Sequence, residues 1–133
     1  MSSIFTKILN KEIPGEIIYE DSDFFAILDI NPVNKGHVLV IPKQEFKDFT
    51  EIPDDLMGKY FLAAKKIGNA ILKIGYEGFN LTMNTKAAAG QIIFHAHIHI
   101  IPRKSGDGLN PWPSKKYEES ELELYANKIK QNL

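Results

Sequence analysis

The stretch from Phe94 to Ile101, FHAHIHII, decides how the rest of the chain is read. His95, His97 and His99 alternate there with Phe94, Ala96, Ile98 and Ile100. Successive side chains of a β-strand point to opposite faces. The spacing therefore predicts a strand with three imidazoles on one face and four apolar groups entering a core on the other, stopped by Pro102. With a rise of about 3.3 to 3.4 Å per residue, adjacent imidazoles start roughly 6.6 to 7 Å apart and can meet one substrate group. The outer pair stand roughly 13 Å apart along the backbone, so chelation of one metal by all three is awkward. A two-histidine metal site would need a carboxylate that nothing in the sequence nominates. Neutral imidazole attacks phosphorus, and its cation donates well to phosphate oxygens. A middle nucleophile flanked by a proton donor is the chemically sensible reading of the row.

Outward from this row, the elements do not follow a strict strand-helix alternation. Ile17 to Glu20 and Phe24 to Ile30 read as two strands joined by the turn Asp21-Ser22-Asp23. The fourth histidine, His37, follows Gly36 and opens a buried strand, HVLVI, that ends at Pro42. Phe79 to Asn84 reads as another strand, and Lys86 to Gly90 as a small-residue loop. Ile4, Phe5, Ile8 and Leu9 lie at helical spacing within Ser3 to Asn10, with Ser2 or Ser3 as the cap. The longest helical pattern starts at an Asp54 or Asp55 cap and runs to about Ile74. Leu56, Tyr60, Ala63, Ala64, Ile67, Ala70 and Ile71 share its apolar face, and Gly75 ends it. Tyr117 to Gln131 is a polar amphipathic helix. The class is α+β, with about five antiparallel strands, one long helix and short N- and C-terminal helices.

The 133 residues fit one domain spanning residues 1–133. Sixteen basic against 17 acidic side chains leave no electrostatic footprint for nucleic acid or an anionic membrane, though one small anion can still be held locally. The absence of cysteine removes thiol nucleophiles and thiolate metal sites. The first 14 residues carry Lys7, Lys11 and Glu12 and no long apolar run, and no stretch approaches a membrane span. The expectation is a cytoplasmic protein.

GHVLVIPK at Gly36 to Lys43 and GQIIFHAHIHIIPR at Gly90 to Arg103 resemble the histidine-triad (HIT) family, whose signature alternates three histidines with apolar residues. FTKILNKEIPGEIIYED and FAILDINP match its Hint-like branch, so the resemblance covers nearly the whole chain. It implies a nucleotide hydrolase or transferase that cleaves at the α-phosphate of a nucleoside phosphoramidate or acyl-adenylate. His97 would be the nucleophile, its other ring nitrogen held by a backbone carbonyl of the same strand. His99 would contact the phosphate and help the leaving group depart, while His95 and His37 orient the site. Asp29 matches a residue that binds both ribose hydroxyls. Phe5, Ile8, Ile13, Ile27 and Ile30 match an apolar slot for the base, with Leu28 flanking ribose and base. Asn84, Gly90 and Gln91 match polar groups around the phosphate, and Ile92 offers only its backbone N–H where relatives often have serine.

Two departures carry meaning. Ser3, Thr6 and Glu45 stand where many relatives have zinc ligands, so no metal and no cofactor is expected. The tail IIPRKSGDG resembles the dinucleoside-polyphosphate hydrolase (Fhit-like) branch instead. That hydrolysis is one alternative activity; a purine-nucleotide-binding regulatory module with little turnover is another. Trp112 would either close over the substrate or anchor packing. The expected partners are a purine nucleotide and a second copy of the chain in a homodimer, its contact supplied by the long helix and the strand near Phe79.

Overall fold

The computed structural model describes all residues from Met1 to Leu133. Five strands, β1 (Ile17–Glu20), β2 (Phe24–Leu28), β3 (Val38–Pro42), β4 (Gly78–Thr82) and β5 (Ile98–Arg103), form one antiparallel sheet in the order β1-β2-β3-β5-β4. The helices are α1 (Ile4–Leu9), α2 (Asp54–Lys73) and α3 (Glu121–Lys130). This is the α+β fold the sequence predicts.

Strands β2 and β3 are covered on both faces, which is why they read as unbroken apolar runs rather than alternating ones. Phe24, Ala26, Val38, Val40, Ile98 and Ile100 face α2 in the main core, with Tyr60, Ala63, Ala64, Ile67 and Ile71 of that helix. Phe25, Ile27, Leu39 and Ile41 face the other way, and Phe5 of α1 completes this second, smaller cluster. Because α1 has only six residues, it covers one part of its face and leaves the remainder open.

Several local expectations need correction. The residues before Ile98 are not paired in the sheet, so β5 starts four residues later than the alternation suggests. Phe94, expected in the core, is 54% exposed. At its other end β5 runs through Pro102 to Arg103. The Pro102 carbonyl accepts from Asn34 Nδ2 at 2.8 Å, on the side away from β4. The N–H and C=O of a strand residue point the same way, so the missing donor faces a loop and no ladder bond is lost.

On α2 the cap is Pro53 without a side-chain bond; Asp54 and Asp55 lie in the first turn, where their charges complement the helix dipole. Ala70 is exposed, and its place on the buried face goes to Gly68. A Cβ at Gly68 would lie 2.4 Å from Phe79 Cζ, so α2 and β4 approach this closely only because the residue is glycine. β2 ends at Leu28 rather than Ile30, β4 at Thr82 rather than Asn84, and α3 begins at Glu121. Trp112 is 91% exposed and anchors nothing within the chain.

Tyr60 ties α2 to the centre of the sheet: its ring stacks on Phe24 at 5.0 Å and its hydroxyl donates to the Val40 carbonyl at 2.7 Å. Tyr60→Phe keeps the stack and removes one buried hydrogen bond, which should lower unfolding stability by about 1 kcal/mol. Urea denaturation measures this; an unchanged midpoint would show that the bond contributes nothing.

Candidate active site

The face alternation of the histidine row survives where the ladder does not. Ala96, Ile98 and Ile100 enter the main core, while His95, His97 and His99 lie on the α1 side. Phe5 packs edge-on against both His95 and His97, at ring separations of 5.7 and 5.0 Å. The His97 and His99 rings are 4.9 Å apart, and His99 lies 5.2 Å from His37 on the neighbouring β3 end. Sheet pairing of β3 with β5 thus adds the fourth histidine to the row, beside His99 rather than beside His95.

Hydrogen bonds determine where each ring carries its proton. His97 Nδ1 is 2.8 Å from the His95 carbonyl, which can only accept. The proton therefore sits on Nδ1, and Nε2 keeps a free lone pair. The Val33 N–H donates to His37 Nδ1 at 3.1 Å, which puts the His37 proton on Nε2. That nitrogen lies 2.9 Å from His99 Nδ1, so His37 donates and His99 accepts. The remaining proton of His99 is then on Nε2. Two neighbouring rings consequently offer opposite functions, a lone pair from His97 and an N–H from His99.

This assignment requires neutral rings, and burial supplies them. Desolvation pushes all four imidazoles below the ordinary histidine range. For His99 the fall is to about 4, with repulsion from His97 and His37 adding to burial.

A groove of about 660 Å³ opens beside His97 and His99. Phe5, Ile8, Ile13, Ile27 and Leu28 line it, as do Asp29, Asn84 and Gly90. Ile30 and Ile92 also border it but are 87% and 86% exposed, which makes them rim rather than slot. Asp29 holds its carboxylate in place by accepting the Asn31 N–H at 2.9 Å. Gly90 adopts φ +94°, and a Cβ there would press on Asn84 Nδ2 at 3.4 Å.

Gln91 does not reach the groove. Its amide is buried, accepts from the Lys86 N–H, and donates to the carbonyls of Lys47 and Ile93. A buried amide must satisfy its polar atoms, and here the loop backbone does so; Gln91 fixes the loop that Gly90 belongs to. His95 and His37 stand behind the groove rather than on its wall. Sequence reasoning missed Ile4, Pro14, Gly15, Asn31, Leu39 and Ile93, all of which line it. Leu39 lies two residues after His37 and Ile93 two before His95, so the same alternation contained the signal for both.

Asp29, His37 and His99 place possible ligand atoms within 4.8 Å of one another. A liganding imidazole turns a lone pair to the metal and keeps its proton on the other nitrogen. In His37 the Val33 N–H enforces the reverse, leaving Nε2–H toward His99 and, at 3.8 Å, toward Asp29. His37 already gives its Nε2–H to His99, with Asp29 outside hydrogen-bond distance, and a donor set in which His37 offers a proton does not fit a metal ion.

The family model of the HIT domain matches residues 10–106. An adenylylsulfatase of Arabidopsis thaliana is 43% identical over 122 residues, spanning 91% of this chain and 61% of its own length. An adenosine 5′-monophosphoramidase of Candida albicans is 33% identical over 141 residues, spanning 99% of this chain and 91% of its own. The crystal structure of a HIT family member from Bacillus subtilis superposes with a TM-score of 0.89 at 38% identity, covering 100% of this chain and 98% of that one.

The neutral histidines carry a pH signature. A histidine whose pKa falls on folding binds fewer protons in the fold than in the unfolded chain at any pH between the two values. Its contribution is full above the unfolded value near 6.5 and is lost as pH falls toward the folded one. Stability should therefore drop between pH 6.5 and 5, above the carboxylate range. Urea midpoints across that window test this; a flat profile would mean that the rings take up protons in the fold as readily as in the unfolded chain.

Proposed function

Because this chain belongs to the HIT domain family, a family of nucleotide-binding proteins and hydrolases, we propose that it is a nucleotidyl hydrolase with His97 as its nucleophile. The observation that carries this reading is the His97 ring, with its proton committed to the His95 carbonyl and its Nε2 lone pair free beside the groove. In the proposed reaction Nε2 attacks the α-phosphorus of a bound nucleotide, and the leaving group departs with the electrons of its bond to phosphorus. His99 donates its Nε2–H to the phosphate. Water then cleaves the phosphorus–nitrogen bond and releases a nucleoside monophosphate.

The apolar wall of Phe5, Ile8, Ile13 and Ile27 suits a purine face, and Asp29, an acceptor fixed at the groove's edge, suits a pair of ribose hydroxyls. A phosphoramidate or an acyl- or sulfo-adenylate is favoured over a dinucleoside polyphosphate. Two functionally named relatives, the monophosphoramidase and the adenylylsulfatase, act on such bonds by name. The tail residues that favoured the polyphosphate reading are occupied elsewhere: Arg103 grips Asp107 with bonds of 2.7 and 3.0 Å and bonds Asn80 at 2.8 Å. Dimerisation belongs to the same reading, supported by the unpaired edge of β4 and by Phe61, Leu62 and Leu81, which remain exposed on α2 and β4.

AMP release should be measured from adenosine 5′-phosphoramidate, adenylyl sulfate and diadenosine polyphosphate in parallel. His97→Ala should reduce the rate by at least about three orders of magnitude while AMP still binds. A variant with substantial turnover would remove His97 as nucleophile, and wild-type protein that binds AMP without releasing product would favour the regulatory module. Asp29→Ala should weaken ribonucleotide binding by about tenfold or more and 2′,3′-dideoxynucleotide binding much less. Equal losses would count against the diol contact.

A further inference from the structure

His95 is fully buried, and both its ring nitrogens are engaged. Nε2 lies 2.7 Å from the Pro42 carbonyl, and Nδ1 lies 2.5 Å from the Ser3 hydroxyl. The carbonyl can only accept, so the proton is on Nε2; Nδ1 must accept, and the Ser3 O–H must donate. The same Ser3 oxygen accepts the Thr6 N–H at 3.2 Å, the N-cap bond of α1. Glu45 closes the group by accepting the Ser3 N–H at 2.5 Å and the Thr6 hydroxyl at 2.6 Å. These donors hold the Glu45 carboxyl below the usual carboxylate range, so it stays an acceptor. With the Thr6 proton given to Glu45, His95 is the acceptor left within short reach of the Ser3 proton.

The position of this group makes it consequential. Residues 94 to 97 have no ladder partner, and β5 begins its pairing only at Ile98. A single backbone bond, Ala96 N–H to the Phe46 carbonyl at 2.8 Å, ties the segment to the stretch after β3. The His95 carbonyl shares a peptide plane with that Ala96 N–H, so the bond to Phe46 and the clamped His95 ring together aim the carbonyl that holds the His97 proton.

We propose that Ser3 is a positioning residue for His97: by clamping the His95 ring, it aims the His95 carbonyl that keeps the His97 proton on Nδ1 and leaves Nε2 free. The catalytic consequence rests on the nucleophile reading given above; the structural consequence does not. The same hydroxyl also caps the helix that carries Phe5 and Ile8, so a cap role and a positioning role must be separated.

Ser3→Gly separates them, since glycine is tolerated at an N-cap but has no hydroxyl to donate to His95. Ser3→Thr retains both functions. The readouts are single-turnover AMP release, the AMP dissociation constant, and the ring ¹⁵N shifts of His97. Ser3→Gly should slow release by about tenfold, leave AMP affinity within about twofold, and turn the single Nδ1–H tautomer of His97 into a mixture. Ser3→Thr should restore all three. Unchanged His97 shifts in Ser3→Gly overturn the proposal whatever happens to the rate, because the hydroxyl then serves only as a cap. Displaced shifts with a wild-type rate overturn its role in the reaction. If the wild-type protein releases no AMP from any donor, the hydrolase reading fails instead, and the His97 shifts alone decide the positioning.

Discussion

The site depends on which way β5 faces. Ile98 and Ile100 are fully buried under α2, each contributing about 1.5–3 kcal/mol of burial, and a one-residue slip would exchange them for imidazoles. That preference fixes His97 and His99 on the opposite face without any interaction of their own. On that face α1 is only six residues long, so the histidines are neither covered by a full helix nor left in open water. The groove is the part of the sheet that the short helix does not reach.

Half-burial then decides the chemistry. Desolvation keeps the imidazoles neutral, and a neutral imidazole has one proton whose location must be chosen. For three of the four a backbone group makes the choice, and His37 passes it on to His99. The His95 carbonyl takes the His97 proton, the Val33 N–H turns His37 into a donor, and the Pro42 carbonyl fixes His95. The outcome is a nitrogen with a free lone pair and a hydrogen-bond donor on adjacent rings, with no carboxylate needed to orient His97. The same choice that makes His37 a donor to His99 closes it to a metal ion, although Asp29 stands near.

What the sequence could show follows from which signals are local. Alternation is local, so the faces of the histidine row, the buried β3 and the length of α2 were all legible. The apolar groove wall was legible only through the family resemblance, because the helical spacing of Phe5 and Ile8 on α1 reads by itself as core. Partners distant in sequence were not legible. Gln91 looks like a phosphate contact until Lys47, from a segment 44 residues away, claims its amide. Pro102 looks like a strand terminator until the Asn34 side chain shows that its missing N–H faces a loop. Asp54 and Asp55 look like caps, but Pro53 already has the extended backbone of that position. Ile30 was placed in the slot by the family resemblance alone, whereas exposure depends on where the chain turns after Leu28.

The tail shows how a matching motif can serve a different purpose from the one its resemblance suggests. Arg103 and Asp107 form a two-bond clasp, and Asp107 also accepts from Asn34 Nδ2 at 3.0 Å. Asn34 in turn reaches the Pro102 carbonyl, so the clasp binds the end of β5 to the loop just before β3. That loop contains Val33, whose N–H sets the His37 proton, and His37 sets that of His99. These charged residues are thus tied to the backbone that orients the histidines of the groove. Substrate preference is accordingly better read from the groove wall and the proton arrangement than from the basic-acidic string that follows β5.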